Sequence, residues 1–313
     1  MSLLQAYLDA HGGALSSAAA AEHLGLGSTD LRRLLATGTL TRVCRGGYVD
    51  SARLAQAGPE DAHLLRLRGV LATSPATFAA SHQSAAVLLG LPLLASDLEL
   101  VHVTRRSGTG HGRRRDAFAV HRCPGERAHF RQVGGVWSVG PVAAVLGAIL
   151  ACSQIGAQGL ADAALRARVV TRAQLEKGLR DLPRATGTPR ARQVVRRADP
   201  SAESIGESGL RTILLLLGYR VRPQFVITDD GEFVARVDLY LPDLGVVVEF
   251  DGAVKYDGVD GRRALVREKV REDRIRRLGY GVVRITWAQL YRPEVIRELV
   301  EAGARMSSRG CRA

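Results

Sequence analysis

Residues 236–252 read Arg-Val-Asp-Leu-Tyr-Leu-Pro-Asp-Leu-Gly-Val-Val-Val-Glu-Phe-Asp-Gly. Two β-like runs lie on either side of Pro242, and each carries acid. The second run, Val246 to Phe250, is apolar enough to be a buried central strand, yet it contains Glu249 and is followed by Asp251. Charge in such a strand is costly unless something compensates it. Side chains alternate along a strand, so Glu249 and Asp251 share one face while Val248 and Phe250 take the other. Strand pairing brings Asp238 close to them. Hard divalent cations take oxygen ligands, which makes Asp238, Glu249 and Asp251 candidate ligands for Mg²⁺ or Mn²⁺.

The surrounding sequence gives this pair of strands a setting. Residues 204–218 form a helix that ends at Gly218 and carries Glu207 in its first turns. Asp229-Asp230-Gly231 is a hairpin turn between two β-rich runs. Residues 263–278 form a charged helix with Val266, Val270 and Leu278 among its apolar positions, followed by the strand in GYGVVRITWAQL (279–290) and a last helix over 293–304. The order α-β-β-β-α-β-α fits a small α/β sandwich.

With Glu207-Ser208, Val237-Asp238, Val248-Glu249-Phe-Asp251-Gly252, Arg274 and GYGVVRITWAQL in this order, residues 200–302 resemble the PD-(D/E)xK nuclease superfamily. Within it they are similar to small domains of the very-short-patch repair endonuclease type. The resemblance implies that Asp238 and Glu249 are metal ligands and that Glu207 orients the metal or a water. It also implies metal-assisted phosphodiester hydrolysis. The sequence departs from the pattern at Asp251, which stands where the superfamily has lysine. Lys255, just past the strand, and Lys269, with Asp273 four residues on, are the candidates for that lysine's work. The repair endonuclease also uses histidines, and the last histidine here is His129.

At the other end, a short helix over 2–10 leads to a serine-capped helix ending at Gly25. Ser28-Thr29-Asp30 then caps a helix over Leu31–Thr37. GTLTRVCRGGY (38–48) reads as a turn and hairpin. This is the order of a small winged helix, with Arg32, Arg33, Arg42 and Arg45 on its recognition helix and wing, placed for DNA phosphates. The stretch GTLTRVCRGGYV behind a helix pair resembles the N-terminal winged-helix domain of abortive-infection-type antitoxins from type IV toxin–antitoxin systems. That resemblance implies a DNA-binding autoregulator and a cognate toxin or defence partner protein.

Between the two ends, residues 60–72 form an amphipathic helix and residues 97–123 two strands around a basic, glycine-rich loop. The loop's Arg105, Arg106, Arg113, Arg114 and Arg115 suit a phosphate backbone, though no GxxxxGK[ST] phosphate loop is present. His82 has no nucleophile elbow beside it and reads as a capping or core residue. His102, His111 and His121 are too loosely spaced to read as metal ligands. Residues 141–182 read as helices, with a capping box at Thr171 and Gln174.

The formal net charge of +13 over 313 residues points to a polyanionic partner, DNA above all. Aromatic content of 5% disfavours a stacking-based reader of single strands. Cys44, Cys123, Cys152 and Cys311 form neither a CxxC knuckle nor a disulfide framework, which fits a reduced cytoplasmic protein. The apolar run from Val136 to Ile155 is broken by Gly140-Pro141 and reads as a buried helix, so no membrane association is expected.

The expectation is therefore an α/β chain in five segments. These are a winged-helix DNA-binding domain (1–52), a mixed α/β middle domain (53–182), a basic linker or short helix (183–202), a restriction-endonuclease-like sandwich (203–304) and a tail (305–313). Its function is expected to be DNA-binding, Mg²⁺- or Mn²⁺-dependent endonuclease activity in DNA repair or in phage and mobile-element defence. The alternative is an antitoxin-like transcriptional regulator with a degenerate nuclease fold.

Overall fold

A computed structural model describes residues 2–108, 112–114, 117–122, 129–182, 187–252 and 259–310. Arg115, Lys255, His111, Cys123 and Cys311 lie outside the described residues. The protein is mixed α/β and divides into two compact units, Met1–Arg197 and Ala198–Ala313.

Unit 1 opens with α1 (Leu3–Ala10), β1 (Ala14–Ser16), α2 (Ser17–Leu24), α3 (Ser28–Ala36), β2 (Leu40–Cys44) and β3 (Gly47–Asp50). The strands form an antiparallel sheet in the order β1-β3-β2. Ser16 caps α2 by accepting the Ala19 N–H at 3.1 Å, and Gly25 closes it at φ 64°. α3 starts about a turn before the expected Leu31. Asp30 is its third residue, and its carboxylate accepts the Gly27 N–H at 3.0 Å. Leu8, Leu15, Ala20, Leu31, Leu40 and Tyr48 form the core beneath. β1 is only three residues long, too short for a strand alternation to show in the sequence.

The chain continues through α4 (Ser51–Gln56), α5 (Pro59–Ala72), β4 (Phe78–Ala80), α6 (His82–Leu88), β5 (Val101–Arg105), β6 (Arg113–Arg114), β7 (Phe118–His121), β8 (Arg131–Val133) and β9 (Val136–Ser138). Then come α7 (Pro141–Ala151), α8 (Gln154–Arg166), α9 (Arg172–Asp181) and α10 (Thr188–Arg197). The sheet order is β6-β7-β5-β4-β9-β8, with parallel pairs β5/β7 and β4/β9. The sequence shows only β5 and β7 of these clearly, because the others run two or three residues. Leu67, Val70, Val101, Val103, Phe118, Val120 and Val139 fill the space between sheet and helices. α10 is arginine-rich, yet Ala191, Val194 and Val195 are buried, so it is a packed helix of unit 1. Among the described residues, no helix is long and apolar enough to cross a membrane.

Unit 2 consists of α11 (Ile205–Leu216), β10 (Arg222–Asp229), β11 (Glu232–Leu241), β12 (Val246–Asp251), α12 (Val259–Arg277), β13 (Gly281–Thr286), α13 (Trp287–Leu290) and α14 (Pro293–Met306). The sheet order is β10-β11-β12-β13, antiparallel except for the parallel pair β12/β13. Asp230 and Gly231 turn the β10–β11 hairpin with φ of 48° and 88°, which suits a two-residue turn. Phe250 packs against α11, where a Cβ added at Gly206 would lie 2.1 Å from its ring. The neighbouring Glu249 reaches α12 instead, so the two helices cover opposite faces of β12. α12 turns Ile275 toward the sheet, and Leu278, just past its end, packs on the same cluster. Val270, expected among its apolar positions, is 58% exposed. It falls between Glu268 and Arg271, off the face that Ile275 defines.

Candidate functional site

β11 and β12 place the acids. Their pairing runs Leu241↔Val246, Tyr240↔Val247 and Leu239↔Val248, so Asp238 and Glu249 are the next residues on the two strands. Asp238 Oδ2 accepts the Phe250 N–H at 2.9 Å. Glu207 is buried in the first turn of α11, its own N–H capped by Ser204 Oγ at 3.1 Å. Its Oε2 accepts from the Glu203 N–H at 2.9 Å and from Gln224 Nε2 at 3.1 Å. Gln224 faces Asp238 across the β10/β11 pairing, between Pro223↔Leu239 and Phe225↔Val237, and has a φ of 49°. Positive φ is uncommon away from glycine and often marks a position held for its side chain. The sequence offers no warning of it.

Burial pushes the Asp238 carboxyl from its ordinary 3.8 up to about 6. The Phe250 N–H works against this, and the charges of Glu207, Glu249 and Glu203 add to it. The structure thus brings together Asp238, Glu207 and Glu249, and adds Glu203. Asp251 is exposed at the end of β12, opposite Thr286. Lys269 is exposed on α12, about half a turn from the residues that face Glu249.

Those facing residues are arginines. Arg271 Nη2 donates to Glu249 Oε1 at 2.6 Å and to Glu268 Oε1 at 2.8 Å, while its Nε donates to Glu268 Oε2 at 3.2 Å. Hydrogen bonding to Glu268, against the opposing effect of burial, raises the Arg271 pKa, and Glu249 adds to the rise. Arg284, beside Glu249 in the β12/β13 register, lies 3.7 Å from Glu249, 3.0 Å from Glu272 and in a closer pair with Glu268. Arg236 pairs with Glu203. Arg236 and Arg284 lie in the strand stretches that the sequence marks, close to Asp238 and Glu249. Arg271 is missed, although Glu268, Arg271, Glu272 and Ile275 fall at i, i+3, i+4 and i+7 and so share one helix face.

The chemistry of the acid set suits a hard divalent cation, since every donor is oxygen and Asp238 is held against ionisation by burial first and by its acidic neighbours second. The arrangement as it stands is a different matter. Among the described residues, no group of three or more His, Cys, Asp or Glu is arranged to hold a metal ion. Glu249 is turned to Arg271, Glu203 pairs with Arg236, and Glu207 accepts from the Glu203 N–H and Gln224.

In unit 1, Arg32 and Arg42 line one groove of about 310 Å³ with Ser17, Ser28, Leu31 and Tyr48. Arg33 is exposed and pairs with Asp30 at 3.3 Å, and Arg45 is exposed at the β2–β3 turn. Arg113 and Arg114 are exposed on β6. Arg105 and Arg106 are half-buried instead. Arg106 lies over the Trp137 ring at 3.8 Å, and Arg105 sits 5.8 Å from the centre of the Phe78 ring.

Unit 1 also assembles histidines that sequence spacing leaves apart. His82, at the start of α6 with φ 51°, stacks on His121 at 3.5 Å, and His102 Nδ1 lies 2.8 Å from His121 Nε2. Burial drives all three pKa values down, His102 to about 3 and His121 to about 4.

No family model matches the chain. Two uncharacterized proteins of Mycobacterium tuberculosis are similar to it, MT2308 of strain CDC 1551 and Rv2248 of strain H37Rv. Each is 29% identical over 125 residues, which is 40% of this chain and 45% of the relative's length. The match therefore spans less than half of either relative.

Proposed function

We propose that this chain is a cytoplasmic DNA-binding protein whose second unit hydrolyses phosphodiester bonds with the aid of Mg²⁺ or Mn²⁺, in DNA repair or in defence against phage and mobile elements. The reading rests chiefly on the cluster of Asp238, Glu207 and Glu249, with Asp238 raised to about 6 by burial and neighbouring carboxylates. Burial and repulsion of this kind, within β11 and with no cation paired to Asp238 among the described residues, make an electrostatic state that a bound cation relieves. A divalent cation there would neutralise charge on the scissile phosphate and acidify a bound water. The element order of unit 2 supports reading it as a PD-(D/E)xK-type domain. The α-β-α-α-β-β order of residues 3–50 supports reading them as a winged helix. Arg32 and Arg42, in one groove, are its first candidates for phosphate contact, with Arg33 and Arg45 beside them.

A second reading has its own observation. Arg271 and Arg284 both approach Glu249, as in a site that has lost its metal. On that reading the chain is an antitoxin-like regulator that binds DNA without cutting it and works with a toxin or defence partner protein. Supercoiled plasmid incubated with the protein and Mg²⁺ or Mn²⁺ separates the two. The nuclease reading expects nicking that Asp238→Ala and Glu249→Ala abolish. Nicking equal in the variants, or absent throughout, removes it.

A further inference from the structure

Glu249 faces the acids Asp238 and Glu207 on one side and Arg271 on the other, and the inference drawn from this rests on the cation-site reading above. We propose that Arg271 is a displaceable occupant of the cation's place. It holds Glu249 while nucleic acid is absent and transfers to a backbone phosphate when nucleic acid binds, so that nucleic acid opens the site to the metal.

The hydrogen bonds make the transfer inexpensive. Arg271 makes three of them, two to Glu268 and one to Glu249. Releasing Glu249 leaves the guanidinium anchored by its Nε and Nη2 on Glu268, while Glu249, 12% exposed, keeps Arg284 at 3.7 Å until the metal takes it. Arg284 would not have to move, because it already bonds Glu268 and Glu272 and stands 3.7 Å from Glu249. Around these two arginines are three carboxylates, Glu249, Glu268 and Glu272, with Arg276 also on Glu272 at 2.8 Å.

Geometry also sets the two cations against each other. Arg271 Nη2 lies 2.6 Å from Glu249 Oε1, so a divalent ion on that oxygen, at about 2.1 Å, would stand close to the guanidinium charge and be repelled by it. The Arg271 side chain is 29% exposed, enough for a phosphate to reach it, and the planar fork of arginine suits phosphate oxygens as it suits carboxylate. Lys269, exposed on another side of α12, does not compete for Glu249.

Exchange of this kind has a two-signed consequence, since coupling between two ligands is reciprocal. Removing Arg271 should favour the metal and disfavour the nucleic acid. Free Mn²⁺ measured by electron paramagnetic resonance gives the first quantity. Anisotropy of a labelled DNA duplex in EDTA gives the second. Full-length Arg271→Gln is expected to bind Mn²⁺ about tenfold more tightly than wild type. It is also expected to bind duplex more weakly, with the salt slope reduced by about one. Arg271→Lys, which keeps a cation against Glu249, should fall between in both. A structural role alone would weaken both together. Unchanged or weaker Mn²⁺ binding in Arg271→Gln, with wild type still binding through Asp238, overturns the exchange while leaving the cation site in place. Unchanged duplex affinity overturns the phosphate half. If Mn²⁺ binding survives Asp238→Asn in every background, or is absent from all of them, the cation-site reading fails and the exchange with it.

Discussion

Replacing Asp238 by Asn should stabilise the protein. The carboxyl is held at about 6 in the folded chain against an ordinary 3.8. A folded pKa above the unfolded one means that the folded state binds the proton more tightly. Stability then declines as pH rises from about 4 to about 6, and the full penalty is present at pH 7. At roughly 1.4 kcal/mol per pH unit the penalty is about 3 kcal/mol, or about 2 kcal/mol after allowance for solvent near a half-buried group. Asn keeps an oxygen for the Phe250 N–H and removes the charge that repels Glu207, Glu249 and Glu203. The expected result is a rise of roughly 5–10 °C in the melting temperature of unit 2 at pH 7. The difference should shrink toward zero near pH 4. Trp287 serves as the fluorescent reporter in a Trp137→Phe background. The gain is a stability–function trade, since the same variant should no longer gain stability from added Mn²⁺. A melting temperature that is unchanged or lower at pH 7 would refute the account of Asp238 as a carboxylate whose charge is opposed by burial and by its acidic neighbours.

Other predictions follow from other parts of the molecule. His102 and His121 have folded pKa values of about 3 and 4, below the ordinary 6.5, so unit 1 should lose stability as pH falls below 6.5. The loss should be on the order of 1–2 kcal/mol for each imidazole by pH 5, read from Trp137 fluorescence in a Trp287→Phe background. A flat profile would contradict the burial of neutral imidazoles. Gly206→Ala should destabilise unit 2 by about 1–3 kcal/mol in urea unfolding, because the new methyl meets the Phe250 ring packed between Gly206 and Trp287. Combined Arg32→Ala, Arg42→Ala and Arg45→Ala should weaken duplex binding and lower the salt slope by up to about 3. An unchanged slope would place the phosphate contacts elsewhere.

Much of unit 2 is legible in the sequence because its signals are local. The Asp230-Gly231 turn needs positive φ at both positions, and the valines of β12 mark a buried strand. In unit 1, the capping box joins Thr171 and Gln174 within four residues. The pairing of Asp238 with Glu249 is also within reach of sequence, because the short 242–245 turn restricts the register. What the sequence hides is non-local. Gln224 reaches Glu207 only through a left-handed backbone, and Arg271 meets Glu249 from a helix 22 residues on. The three histidines join from α6, β5 and β7 only when the parallel β5/β7 pairing forms. Arg105 and Arg106 illustrate the converse. A run of arginine predicts a solvated, phosphate-seeking loop, but these two are half-buried with their guanidinium groups over Phe78 and Trp137, as cations lie over aromatic faces.

The central claim is that Asp238 and Glu249 hold a divalent cation, and anomalous diffraction from crystals of the full chain grown with Mn²⁺ and a DNA duplex tests it most directly. The account predicts an anomalous peak between the two carboxylates, with Arg271 turned from Glu249 to a phosphate. Duplex bound, no peak between the carboxylates and Arg271 still on Glu249 would contradict it.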